Sequence, residues 1–492
     1  LLENGGWADR NSPGTNEVRR LRKLGTNFEQ YTRSRRKVVI VTFAMAAAFS
    51  LISGLTSRMA SFKSVHARGQ NMTSSRSDAD NDDQLILVTN TSGLGDTTTA
   101  PGPNTSLVAW YLALSSVAAV AACTGSFFLL WWISLRKRVT LSLLLMTSPL
   151  ILIIVLETSM GSSSPSSTLT YTNGYLAETV HALAGAAFGL FLPSFFSLVT
   201  PHGPNTKLWA TLGTPLGQLM VEALFASTML GVTYELSHQA VSGAAAAAIA
   251  LLVAALCVHL CLVPNVHVDH NGDSLRSVCS ALRFANIWLR KWLLRDALAM
   301  LVASATASMF GVGATVVVIM LDIRGTVQLF GDSADLVLPR GLAVAIYAFF
   351  GLVGGLMGRK IAYMIWRKQG DSMDSMDSGK LGLSPRGLLV PSRPASLKRL
   401  PVSYVILALV GASIIAVGYL FDFAVVQPVG IFLVAFGHGF AQNLVCRNVD
   451  LDVPKEANLA AYSLFLGFSF AGTALVWAEP AWFLAAIAKK KY

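Results

Sequence analysis

Phe436–Gly472, FGHGFAQNLVCRNVDLDVPKEANLAAYSLFLGFSFAG, holds two apolar segments joined by a short polar turn. The first segment carries His438, Gln442 and Asn443 among Phe, Val, Leu and Gly. The turn ends at Val453-Pro454-Lys455-Glu456. Pro454 and Glu456 suit a helix start, because a proline ring fits the first turn and the helix dipole favours an anion there. The pattern is therefore helix, tight turn, helix, with both helices too apolar to face water.

The whole chain reads the same way. Of 492 residues 53% are hydrophobic and 13% charged, with mean hydropathy +0.54. That balance points away from a soluble enzyme and toward a multi-pass membrane protein. The chain opens on Leu1, which points to a missing or processed start, and residues 1–36 are too polar to be a secretory signal. Stretches of roughly 20 apolar residues, long enough to cross a bilayer, fall at 37–56, 107–134, 138–160, 176–200, 207–231 and 241–263. After a polar break they resume at 297–321, 339–365, 401–420, 425–446 and 459–486. The expectation is an all-α polytopic protein of 11 spans. Its bundles of six (37–263) and five (297–488) helices form a major-facilitator-like pair.

Basic residues orient such a chain. With the amino terminus in the cytosol, most of the 38 Lys and Arg residues fall on cytosolic segments. The carboxyl terminus then lies outside, although Lys489-Lys490-Lys491 runs against the rule. The loop 57–106 is exofacial and holds the N-x-S/T sequons at Asn71, Asn90 and Asn104. Asn71 and Asn90 are the expected glycosylation sites, and Asn104 sits too near the membrane. Loop 264–296 is cytosolic. Within it, residues 274–295 interleave Leu275, Leu282 and Trp292 with Arg276, Arg283 and Lys291. This reads as an amphipathic helix on anionic inner-leaflet lipid, with calmodulin binding as the alternative. Residues 366–400 carry the repeat Asp371–Ser378 and three prolines and read as disordered.

Five cysteines, all in apolar or cytosolic segments, argue against a disulfide framework. Cys257, His259, Cys261, His267 and His270 resemble a metal cluster, but i, i+2, i+4 spacing does not converge on one helix face. No cofactor or metal is expected, and no nucleotide-binding loop or hydrolase motif is present, so neither an enzyme nor a nucleic-acid partner is indicated. In lipid each buried polar group needs a partner, so polar residues within spans are the candidates for function. Gly351-x-x-Gly354-Gly355-x-x-Gly358-Arg359 ends the eighth span. Its overlapping G-x-x-x-G pairs allow close helix approach, and Arg359 is either a substrate contact or a membrane-edge anchor. Glu222 lies well inside the fifth span, where an unpaired carboxylate must be protonated, paired or wet. Proton coupling and a neutral structural role both fit it. Gln218, His181, His438 and Asn443 complete the polar set, with packing an equal account of His438.

These motifs resemble the equilibrative nucleoside transporter family. The matches are Val453, Pro454, Glu456, Ala460, Phe465 and Leu466, and also Gly185, Phe188, Gly189, Leu190, Leu192 and Pro193 in the fourth span. Met309-Phe310-Gly311 is similar to that family's Phe-Pro step, with Gly for Pro, and the first span lacks its Pro-Trp-Asn signature. Gly358-Arg359 match the end of the family's F-N-x-x-D-x-x-G-R, in which Asp and Arg contact the sugar. Here Leu352 and Gly355 replace the Asn and Asp, and Ala184 replaces a Gln. The resemblance implies transport of nucleosides or nucleobases across a plasma membrane by alternating access, facilitative or proton-coupled. The implied substrate-binding residues are Arg359, His181, Gln218, Glu222, His438 and Asn443. A major-facilitator-type sugar or metabolite carrier and a non-transporting scaffold or receptor are the alternatives.

Overall fold

A computed structural model describes residues 35–55, 103–128, 133–162, 167–200, 204–230, 238–262, 294–312, 326–328, 337–377, 400–421, 423–452 and 458–478. Eleven helices run through them, one for each expected span. They are α1 (Val38–Gly54), α2 (Pro103–Phe128), α3 (Leu135–Ser162), α4 (Ser167–Val199), α5 (Pro204–Leu230) and α6 (His238–Leu262). The second half has α7 (Leu294–Thr306), α8 (Arg340–Asp377), α9 (Leu400–Leu420), α10 (Gln427–Asp452) and α11 (Asn458–Ala478). Seven of them are long and apolar enough to cross a membrane, and α1 and α9 carry shorter apolar stretches. A small antiparallel hairpin, β1 (Thr326–Gln328) with β2 (Val337–Pro339), leads into α8.

The helices are apolar nearly all round because in hydrocarbon only internal hydrogen bonds can satisfy the backbone. Large side chains left bare, such as Trp110, Ile151, Val155, Phe349, Ile406 and Leu475, form the lipid-facing surface. Within the first half α1 packs on α5 and α6, and α4 packs on α2 and α3. Within the second, α10 packs on α8 and α9, and α7 packs on α11. The halves meet along two seams, α5 against α8 and α2 against α11.

Two elements differ from the sequence reading. α7 ends as an α-helix at Thr306 and continues as a wider π-turn through Val312, where Ser308, Gly311 and β-branched Val312 weaken the regular ladder. α8 runs on to Asp377, so the part of 366–400 up to that residue is helical rather than irregular. The Asp371 repeat thus begins on a helix extending from the apolar span, whose formed turns carry the cost of nucleation. Asn71, Asn90, most of 264–296 and the terminal lysines lie outside the described residues.

Candidate functional site

The crossing of α8 over α10 is set by glycine. A side chain at Gly354 would place its Cβ 2.3 Å from the Phe432 carbonyl oxygen, and one at Gly358 would lie 2.2 Å from that of Phe436. The backbones therefore touch, as the G-x-x-x-G spacing predicts. Arg359 is caught in this contact and is only 4% exposed. Its Nη1 donates to the Gly355 carbonyl at 3.0 Å and its Nη2 to Gln442 Oε1 at 2.5 Å. Asn443 Nδ2 closes the arrangement by donating to the Arg359 carbonyl at 2.7 Å. Arg359 is thus no membrane-edge anchor, while its neighbour Lys360 is exposed. The absence of a carboxylate at position 355 does not leave the arginine loose, because Gln442, reaching across from α10, holds it. Gln442 stood in the opening stretch of sequence, but only the helix crossing brings it to Arg359.

His438 lies on α10 beside this contact: a Cβ at the adjoining Gly439 would meet Arg359 Nη1 at 3.0 Å. Its Nε2 is 3.4 Å from Ser304 Oγ of α7, which bonds Ser469 of α11 at 2.6 Å. Next to Ser469, Phe470 meets Phe188 of α4 edge-on at 5.9 Å, and Phe188 stacks on Phe49 of α1 at 4.4 Å. This aromatic trio joins three helices from both halves and offers flat faces to a planar ring. Phe49 and Phe470 carry no polar atom, so intramembrane polarity does not single them out. Across the α5–α8 seam, Pro215 approaches Gly355. Gln218 and Glu222 follow Pro215 at helical spacing on the same face of α5, Gln218 exposed and Glu222 half-buried. His181 is placed differently. It is 1% exposed, its ring stacks on Tyr111 of α2 at 4.9 Å, and its Nδ1 is 2.8 Å from the Ala177 carbonyl of its own helix. The structure therefore brings together Arg359, Asn443 and His438, leaves Gln218 and Glu222 further along α5 from the Pro215–Gly355 approach, and packs His181 against Tyr111 where α4 meets α2.

A second polar cluster ties the halves together at one end of the bundle. Lys207 of α5 pairs with Asp450 of α10 at 2.5 Å, with side chains 4% and 12% exposed. Lys207 also bonds the Tyr462 hydroxyl of α11 and lies 3.0 Å from Thr200 Oγ1 at the end of α4. Thr200 and Tyr462 each donate to Asp450, at 3.1 and 2.8 Å. Beside it, within the second half, Asn448 donates to Asp296 at 2.8 Å. Cys446, wholly buried, sits behind the lock with its carbonyl 2.9 Å from the Tyr462 hydroxyl. A small cleft opens alongside, lined by Lys207, Tyr363, Asn443, Arg447 and Asp450 among others. Among the described residues no group of His, Cys, Asp or Glu is arranged to hold a metal ion. Cys257 and Cys261 are exposed, whereas His259 is buried with Nε2 3.2 Å from the Arg136 carbonyl.

No family model matches the chain, and no curated protein matches it by sequence. Solved structures do match in fold. The proton:xylose symporter XylE bound to 6-bromo-6-deoxy-D-glucose aligns with TM-score 0.54 at 11% identity, over 94% of this chain and 90% of that one. A POT family transporter in complex with 5-aminolevulinic acid gives 0.52 at 12%, over 93% and 94%. A single-residue variant of the E. coli fucose:proton symporter FucP gives 0.50 at 12%, over 91% and 90%. The described residues are thus almost wholly helical, in the major-facilitator-like two-bundle arrangement of a multi-pass membrane protein.

Proposed function

We propose that this protein carries nucleosides or nucleobases across the plasma membrane by alternating access. The observation that carries the reading is Arg359, buried in the α8–α10 crossing with its guanidinium held in place, at the position where the resembled family puts its sugar-contacting arginine. The aromatic trio supplies a stacking surface, and His438 and Asn443 supply further donors and acceptors. On the orientation given by the basic residues, the Lys207–Asp450 cluster lies at the cytosolic end. It bonds the two halves there, so the inner face is closed. Transport then requires this lock to part as the bundles rock. A panel of labelled adenosine, hypoxanthine, uridine and glucose, taken up by proteoliposomes, tests the reading. Uptake of the first three, unaffected by glucose, is the expected result. Glucose uptake alone selects a sugar carrier, and no uptake selects a scaffold or receptor.

Orientation has its own test. Glycosidase treatment is expected to raise gel mobility, and replacing Asn71 and Asn90 together is expected to abolish that shift. An epitope within 371–378 should be stained only after permeabilisation. Staining in intact cells would reverse the arrangement.

Glu222 decides between facilitation and proton coupling. An ionised carboxylate inside a span is costly, so its proton state couples readily to which side it faces. If Glu222 shuttles the proton, uptake rises as outside pH falls, and Glu222→Gln flattens that dependence while leaving exchange intact. An unchanged pH profile in the variant makes the residue structural and the carrier a simple facilitator.

A further inference from the structure

We infer that Cys257 and Cys261 are S-acylation sites, each taking a long-chain acyl group in thioester linkage at the end of α6. The inference rests on the orientation proposed above, which puts that end of the helix in the cytosol. The last turn of α6 is fixed by α3. Arg136 donates through Nη2 to the Leu260 carbonyl, one of the terminal carbonyls that a helix cannot satisfy itself. His259 is buried, with Nε2 3.2 Å from the Arg136 carbonyl. Cys257 and Cys261 lie two positions to either side of His259, about 200° around the helix. Both thiols therefore face outward, one turn apart on one face, and both are free and exposed. Val253 and Leu260, exposed beside them, mark that face as lipid-facing. Half-buried Arg136 and exposed Lys137 set the level of the inner bilayer edge.

Thiols at the cytosolic edge of a span, turned toward lipid, are where acyl chains are attached. With His259 turned inward, the pair has no third ligand for a metal. The same face continues away from the thiols through Ala254, Ala250, Ala247, Ala246 and Gly243, all exposed. A Cβ at Gly243 would meet nothing within 4 Å. Side chains this small leave a shallow channel, in which an acyl chain from Cys257 can lie close to the helix backbone. In the transfer, the cysteine sulfur attacks the carbonyl carbon of a long-chain acyl thioester of coenzyme A. The new C–S bond forms as the old one breaks, and the departing thiolate takes the proton that the cysteine gives up. Nothing is oxidised or reduced, and hydrolysis of the thioester restores the thiol. The chains pin this end of α6 in the inner leaflet, beside the loop that joins the two halves.

The experiment counts thioesters on the full-length protein expressed in cultured cells. Free thiols are blocked under denaturing conditions, thioesters are cleaved with neutral hydroxylamine, and the thiols released are tagged with a polyethylene-glycol maleimide large enough to shift the band on a gel. The wild type should gain one tag for each of Cys257 and Cys261. Cys257→Ala and Cys261→Ala should each lose one, and the double variant both. Both side chains face lipid, so the replacements leave the packing intact. Cys279→Ala, in loop 264–296 and outside the described residues, should leave the pattern unchanged. Growth with an alkyne-bearing long-chain fatty acid should label the wild type and not the double variant. A wild type that releases no thiol, or tags that persist in the double variant, overturns the inference. So do unacylated thiols that crosslink two copies through Cys257 on mild oxidation, which would make this face a contact between copies. The epitope within 371–378 separates the two levels of failure. Missing tags with the epitope inside sink the acylation alone, whereas an epitope stained in intact cells sinks the orientation beneath it.

Discussion

Lys207→Met should part the two halves at the end of the bundle that the Lys207–Asp450 pair holds together, and expose Cys446. Lys207 is almost fully buried, and its ammonium is the counter-charge of Asp450, itself 12% exposed. Removing one partner of a buried ion pair leaves the other uncompensated, at a cost of about 3–5 kcal/mol. Only the closed arrangement brings this pair together across the halves, so the cost falls on that state and the open one gains. In a two-state balance this amounts to about two or more powers of ten in population. Cys446 is sealed in the closed state, and its modification by a thiol reagent, followed on the isolated peptide, should accelerate accordingly. Replacing Asp450 as well, in Lys207→Met/Asp450→Leu, removes both charges and should bring the rate back down, because an apolar pair of similar size is nearly neutral. If Cys446 stays as unreactive in Lys207→Met as in the wild type, something other than this cluster seals that end.

Arg359→Lys should lower uptake by at least about tenfold, or roughly 1.4 kcal/mol for one charged hydrogen bond, with surface expression unchanged. The guanidinium reaches the Gly355 carbonyl and Gln442 Oε1 at once. A lysine head is a single point on a flexible stem and cannot hold both contacts while offering a planar edge to substrate. Gly355→Asp is the complementary change. Its Cβ would come within 3.2 Å of Arg359 Nη1, so the flexible end of the arginine must give slightly to receive the new carboxylate. The expected outcome is a shift toward nucleosides over nucleobases in competition assays. Normal transport by Arg359→Lys would remove the side chain on which the nucleoside reading depends.

How far the sequence reaches depends on the physics at each point. The eleven helices were legible because spans must be about 20 residues long and apolar throughout. Gly354 and Gly358 announced a close crossing by their spacing alone. The lock was not legible. Thr200, Lys207, Asp450 and Tyr462 are scattered across the chain, and a lone charge at a span end reads as an interfacial anchor. His181 looked like a pathway residue because it is polar within a span, but a buried histidine also packs well against tyrosine, as it does on Tyr111. Gln442 and Arg359 are 83 positions apart, and no local pattern links a glutamine on one helix to an arginine on another. Helix existence is a local property; the pairing of polar groups is set by tertiary contact.

Seen mechanically, α10 is a lever. Gln442 and Asn443 grip Arg359 near its middle, and Asp450, one side of the lock, rides on its end. About eight residues of helix put the two about 12 Å apart. A tilt of only about 5° would move the far end by about 1 Å, enough to stretch the short Lys207–Asp450 contact well past its best length and weaken it. Because α8 and α10 touch backbone to backbone, with no side chain between them to absorb a displacement, the pair is stiff. Small work done at the Arg359 contact is therefore delivered to the latch instead of being lost in side-chain rearrangement.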